Sequence, residues 1–122
     1  MNEKKKTLVL GASDNPARYS YLAIHRLLSH GHPVVAIGKK HTMVSSVPVE
    51  TEKKNFDDIH TVTLYLNPLR QKEYYDYILS LNPKRIIFNP GAENDEFADL
   101  ANKKGIHVQE ACTLVLLSIG QY

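Results

Sequence analysis

The feature that most restricts the fold is an alternation. Short β-rich apolar runs recur along the chain, separated by turns of Gly, Pro, Asn and Ser and by stretches with helical spacing. Thr7–Leu10 is the first run, and Gly11 ends it. From Tyr19 to His30, Tyr21, Leu22, Ile24, Leu27 and Leu28 recur near helical spacing, with Gly31 placed for a left-handed C-cap. Pro33–Ile37 is a second buried run, closed by Gly38-Lys39-Lys40. Strand, helix and strand in so short a stretch predict a right-handed βαβ unit with parallel strands.

The pattern continues less evenly. His41 to His60 predicts an extended segment over Val44–Val49 around Pro48 and a turn of helix over Asn55–Ile59. Val62–Leu66 reads as strand three, Leu69–Leu81 as a helix, Arg85–Phe88 as strand four and Ala92–Lys104 as a surface helix. That helix carries acids early and lysines late, which suits its dipole. Ile106–Val108 reads as strand five and Ala111–Ile119 as a last helix. The prediction is a Rossmann-like α/β fold: an open parallel five-stranded sheet of order 3-2-1-4-5, helices on both faces, with residues 1–122 as a single domain.

Composition excludes several classes. The net charge of +2 argues against a nucleic-acid surface, and Lys4-Lys5-Lys6 reads as a solvated run. No apolar run approaches the roughly 18–20 residues of a membrane span. Glu3 and three lysines before a four-residue apolar run do not resemble a signal peptide. A single cysteine cannot form an internal disulfide, so a cytoplasmic location is expected. The histidines are scattered, and no metal set is expected.

In such a sheet, ligands sit at the carboxyl ends of the strands, where the order reverses. Here that edge consists of Gly11–Ser13, Gly38–Lys40, Asn67-Pro68 and Asn89-Pro90-Gly91, turns suited to a nucleotide. A strand that runs through a Gly/Ser/Asn turn into a helix offers free N–H groups and a positive dipole end to a phosphate. The dinucleotide fingerprint G-x-G-x-x-G is absent, since Ala12-Ser13-Asp14-Asn15-Pro16 follows Gly11. The acid that NAD needs after strand two is replaced by Lys39-Lys40. Two lysines suit a ribose with an extra phosphate, in NADP or in coenzyme A.

Gly11-Ala-Ser, Pro16-Ala-Arg18-Tyr-Ser20-Tyr21, Asn89-Pro-Gly-Ala-Glu-Asn94 and Cys112 in a closing apolar segment together resemble the small stand-alone CoA-binding domain proteins. These are similar to the N-terminal Rossmann-like domain of the succinyl-CoA synthetase α subunit. The resemblance runs from about Lys6 to Ile119. It implies that Gly11, Ala12, Ser13, Asp14 and Asn15, with Arg18, Ser20 and Tyr21, cradle the pyrophosphate. It also implies that Lys39 and Lys40 serve the adenosine end, and that Asn89, Pro90 and Gly91 touch the coenzyme. Two positions depart from the pattern. Stand-alone members usually close strand two with a Val-Asn-Pro type turn, and they often carry an Arg after strand three, where this chain has Asn67-Pro68. The synthetases' phosphorylated histidine belongs to a second domain that has no counterpart here, so the implied role is a binding or regulatory module for coenzyme A or an acyl-CoA. An NADP-binding enzyme subunit and a protein-interaction domain with a vestigial nucleotide pocket are the alternatives.

Plainer readings stand beside these. Arg18 also reads as a surface residue, Ser20 as a helix N-cap, Tyr21 as core and the two lysines as ordinary loop residues. Cys112 reads as a small buried hydrophobe, with no histidine within a few residues to act as its base. Tyr74, Tyr75 and Tyr77 are too close together in sequence all to face one core, which predicts partial exposure and a surface for a homodimer or a partner protein.

Overall fold

The computed structural model describes residues 3–122. In chain order its elements are β1 (Thr7–Ala12), α1 (Tyr19–Ser29), β2 (Val34–Gly38), β3 (Thr42–Val44), β4 (Val47–Glu50) and β5 (Thr61–Leu64). There follow α2 (Pro68–Gln71), a 3₁₀ turn (Lys72–Tyr74), α3 (Tyr75–Ser80), β6 (Arg85–Phe88), α4 (Asp95–Lys103), β7 (His107–Glu110) and α5 (Thr113–Ser118). The strands form one seven-stranded sheet in the order β3-β4-β2-β1-β5-β6-β7. Every neighbouring pair is parallel except β3 and β4, which are antiparallel.

This corrects the expected five strands and their order. The run expected as strand three is β5, and it lies beside β1 rather than outside β2. The place outside β2 belongs to β4, and β3 folds back along it as the edge. Two properties hid this hairpin in the sequence. Pro48 cannot donate to a ladder and argues locally against a strand. The Ser45-Ser46 connection has no Asn-Gly or Gly signal, although Ser45 adopts the positive φ (55°) such turns need. The inward alternation is nonetheless clean, with Val47 and Val49 buried and Pro48 exposed between them.

Strands β1, β2 and β6 are apolar on both faces and contribute to two cores, whereas β5 turns Val62 and Leu64 into one core and buries Thr61 and Thr63 on its other face. Leu8, Leu10, Val62, Leu64, Ile86 and Phe88 point into the core that Ile78 and Phe97 cover from α3 and α4. Val9, Ala36, Val49 and Ile87 point into the other, covered by Ile24 and Leu27 of α1 and by Leu116 and Leu117 of α5. Each fully buried large apolar side chain contributes about 1.5–3 kcal/mol, which is why neither face can be left open.

The expected helix over Leu69–Leu81 is broken into α2, the 3₁₀ turn and α3. The tighter turn changes the angular step, and all three tyrosines become half-buried against the first core. Tyr75 stacks on Phe97 with ring centroids 4.4 Å apart, and the Tyr77 hydroxyl donates to the Lys54 carbonyl. The turn of helix expected over Asn55–Ile59 is irregular chain, with Asp58 at φ 57°.

At the amino edge of the sheet, buried His32 accepts a hydrogen bond at Nδ1 from the Lys5 amide (3.0 Å) and packs on the Tyr122 ring. Burial, helped by the nearby charges of Lys5, His30, Arg85 and His60, lowers its pKa below the ordinary 6.5. Because the native value is depressed, the stability linked to His32 is fully present above 6.5. It declines as pH falls below that value and through the lowered native one. Thermal unfolding of wild type and His32→Asn, which keeps an acceptor near Nδ1, checks this. Between about pH 7.5 and about pH 5 the wild type is expected to lose more of its midpoint than the variant. Parallel losses would remove His32 as the titrating group.

Candidate functional site

The chain leaves β1 on opposite sides in succession, first to β2 and, after the hairpin, to β5. The turns beyond the carboxyl ends of β1 and β5 therefore diverge, and a cleft of about 840 Å³ opens there. Its walls come from the ends of β4, β2, β1, β5 and β6. Two glycines permit this geometry. Gly11 has φ 95°, and a Cβ there would meet the Tyr65 backbone at 3.0 Å. A Cβ on Gly38 would lie 2.2 Å from the Ala12 carbonyl oxygen, where β1 and β2 press together.

The turn after β1 is largely self-satisfied. The Asn15 amide donates to Ser13 Oγ (3.0 Å), and Asn15 Oδ1 accepts from the Ala17 amide (3.0 Å). Helix α1 begins at Tyr19 with Arg18 in the cap position, and no side chain caps its first turn. The N-cap role considered for Ser20 is thus taken by Arg18, and Ser20 is buried inside the first turn. An uncapped helix start beside a Gly-Ala-Ser turn leaves amide donors and the positive dipole end facing the cleft.

Of the residues expected from the sequence, Gly11, Ala12, Ser13, Asp14, Arg18, Ser20, Lys39, Lys40, Asn67, Pro90 and Gly91 all line this cleft. Three do not. Asn15 is turned into its own loop, and Tyr21 packs against the core under α1, its ring 4.7 Å from that of His25. Asn89 is buried beneath the site and acts on it from below. Its Nδ2 donates to Thr63 Oγ1 (2.7 Å) and to the Leu64 carbonyl (2.9 Å), while Oδ1 accepts from the Thr113 amide (2.9 Å).

A second amide clamp lies alongside. Fully buried Gln71 donates through Nε2 to the Leu66 and Ala92 carbonyls, each at 2.8 Å. Asn94 Nδ2 donates to Gln71 Oε1 (2.9 Å) and to the Tyr75 hydroxyl (2.8 Å), and Asn94 Oδ1 caps α4 by accepting from the Phe97 amide. Both asparagines of the Asn89-Pro-Gly-Ala-Glu-Asn94 signature therefore hold the loop in place, and Pro90 and Gly91 between them reach the cleft. Asn67 has a similar duty, capping α2 through its Oδ1 and the Arg70 amide (3.0 Å).

The cleft is cationic. Arg18, Lys39 and Arg70 line it without an ion-pair partner among the described residues, and Lys40 faces Asp14 at 3.2 Å. Arg70 is the functional candidate the sequence reading missed. It lies three residues beyond the N-cap Asn67, so it belongs to the first turn of α2. Tyr65, Thr42 and Tyr74 are further wall residues not anticipated. Burial pushes the Tyr65 hydroxyl pKa well up, so it stays protonated. Cys112 occupies the N-cap position of α5 and is not part of the cleft wall. Such an arrangement can bind an extended polyanion.

The sequence model described as CoA binding domain matches residues 5–118. A crystal structure of an uncharacterized protein is similar at 47% identity and TM-score 0.97, covering 99% of this chain and 100% of that one. A hypothetical protein from Pyrococcus horikoshii OT3 is 24% identical with TM-score 0.83, covering 92% of this chain and 80% of its own. A Thermus thermophilus protein is 19% identical with TM-score 0.81, covering 98% and 91%. These last two share the fold. No curated protein matches the chain.

Asn89→Ala strips three hydrogen bonds and leaves the buried Thr113 amide without a partner, so it is expected to destabilise the protein by about 2–4 kcal/mol. Arg70→Ala removes an exposed, unpaired side chain and is expected to stay within about 0.5 kcal/mol. Denaturant unfolding midpoints check both, and equal effects would contradict the division between clamp and rim.

Proposed function

The chain belongs to the CoA binding domain family, and we propose that it binds coenzyme A or an acyl-CoA as a small binding or regulatory module with no chemistry of its own. The observation that carries this reading is the cationic cleft on the carboxyl edge of the sheet, whose Arg18, Lys39 and Arg70 lack ion-pair partners among the described residues. In this reading the diphosphate rests on the Gly11–Asn15 turn and the start of α1, with Arg18 beside it. Arg70, from the neighbouring strand end, supplies the guanidinium that the family often carries directly after strand three. Lys39 and Lys40 take the 3′-phosphate at the β2 side, and the pantetheine arm leaves toward Pro90 and Gly91. The 122 residues act as one binding domain, in the cytoplasm.

The lysine pair makes this testable by one chemical group. Lys39→Ala with Lys40→Ala is expected to weaken coenzyme A by about tenfold or more, equivalent to about 1.4 kcal/mol. Dephospho-CoA, which lacks the 3′-phosphate, should change by less than about threefold. Calorimetric titration of both ligands against both proteins decides it. Equal weakening would mean that these lysines do not read the 3′-phosphate.

A further inference from the structure

Asp14 is the one carboxylate among the residues that line an otherwise cationic cleft. It stands on the phosphate turn after β1, yet its side chain reaches across to the β2–β3 side. There Oδ2 accepts from Thr42 Oγ1 (2.9 Å) and faces Lys40 Nζ (3.2 Å). The carboxylate thus bridges the turn that would hold the diphosphate and the segment that would hold the adenosine end of a nucleotide, and it occupies one of the two lysines there.

Resting on the coenzyme A reading of this cleft, we propose that Asp14 is a resident anion that regulates the site. It holds Lys40 in the ligand-free protein and must yield that lysine to the incoming 3′-phosphate. The exchange is physically reasonable because both partners are substantially exposed, with side chains at 69% and 36% of full accessibility. An exposed ion pair is weak, and a phosphate monoester brings close to two negative charges where the carboxylate brings one. The hydrogen bond from Thr42 and the Lys40 ammonium also hold the Asp14 pKa below the usual carboxylate range, so the competitor stays ionised at neutral pH. The consequence is selectivity. A ligand that offers only a ribose hydroxyl at this position cannot displace Asp14, whereas a phosphorylated one can. Lys39, without an ion pair, meets either ligand unchanged.

Asp14→Asn tests this, since the amide oxygen can still accept from Thr42 while the charge is gone. At low salt the variant is expected to bind coenzyme A about threefold to tenfold more tightly than wild type, with the gain shrinking as salt screens the charges. Dephospho-CoA should gain less than about twofold. Inorganic pyrophosphate, followed by thermal shift, should stabilise the variant more than wild type. Loss of coenzyme A affinity, no gain, or equal gains for the two coenzymes would overturn the proposal. If wild type binds neither coenzyme, the coenzyme A reading fails by itself. The pyrophosphate series then still judges Asp14, and equal shifts in the two proteins would overturn its role as a resident anion.

Discussion

Everything at the carboxyl edge depends on the way the chain leaves β1. Successive connections depart to opposite sides of that strand, so the loops after β1 and β5 have no common path and a crevice opens between them. The crevice is usable only because the backbones below it come very close. Gly38 leaves room for the Ala12 carbonyl oxygen where any Cβ would collide, and Gly11 turns the chain away at a φ that other residues adopt only with strain. These glycines set the shape of the walls before any ligand chemistry is considered.

On that frame the polar residues divide into two kinds. Asn89, Gln71 and Asn94 are buried, and their hydrogen bonds lock the loops after β5 and β6 to one another and to α5. In a low-dielectric interior such groups are costly when unpaired, so the network specifies one loop arrangement. Arg18, Lys39 and Arg70 lie on the exposed rim, with no ion-pair partner among the described residues. Exposed cations of this kind contribute little to folding, which leaves them free to meet an anion. The rigid layer holds the rim in register, and the rim supplies the charge.

How much of this was legible in the sequence follows from how local each signal is. β6 falls on Arg85–Phe88 as expected, because a continuous apolar run between an Asn-Pro and an Asn-Pro-Gly turn has few other readings. α1 likewise follows its spacing from Tyr19 to Ser29. The β3–β4 hairpin was not legible, since a Ser-Ser turn and a proline within the strand carry the wrong local signals, and pairing with β2 overrides them. The strand order failed for the same reason, because the two unseen strands of the hairpin displaced β5 in the count, and β4 took the place beside β2. Most residues expected at the site do line the cleft, since the rule for strand ends depends only on chain direction. Asn89 shows the limit of that rule. Its place in a motif marked it as important, but only the packed structure reveals that its three hydrogen bonds point down into the fold.

The carboxyl edge, on this reading, suits a nucleotide with a diphosphate and an extra ribose phosphate. Calorimetric titration of the unmodified protein with coenzyme A, dephospho-CoA, NADP and NAD tests it most directly. Coenzyme A is expected to bind tightest, ahead of dephospho-CoA by about tenfold, with NAD weakest. Preference for NAD, or no binding by any of the four, would contradict it.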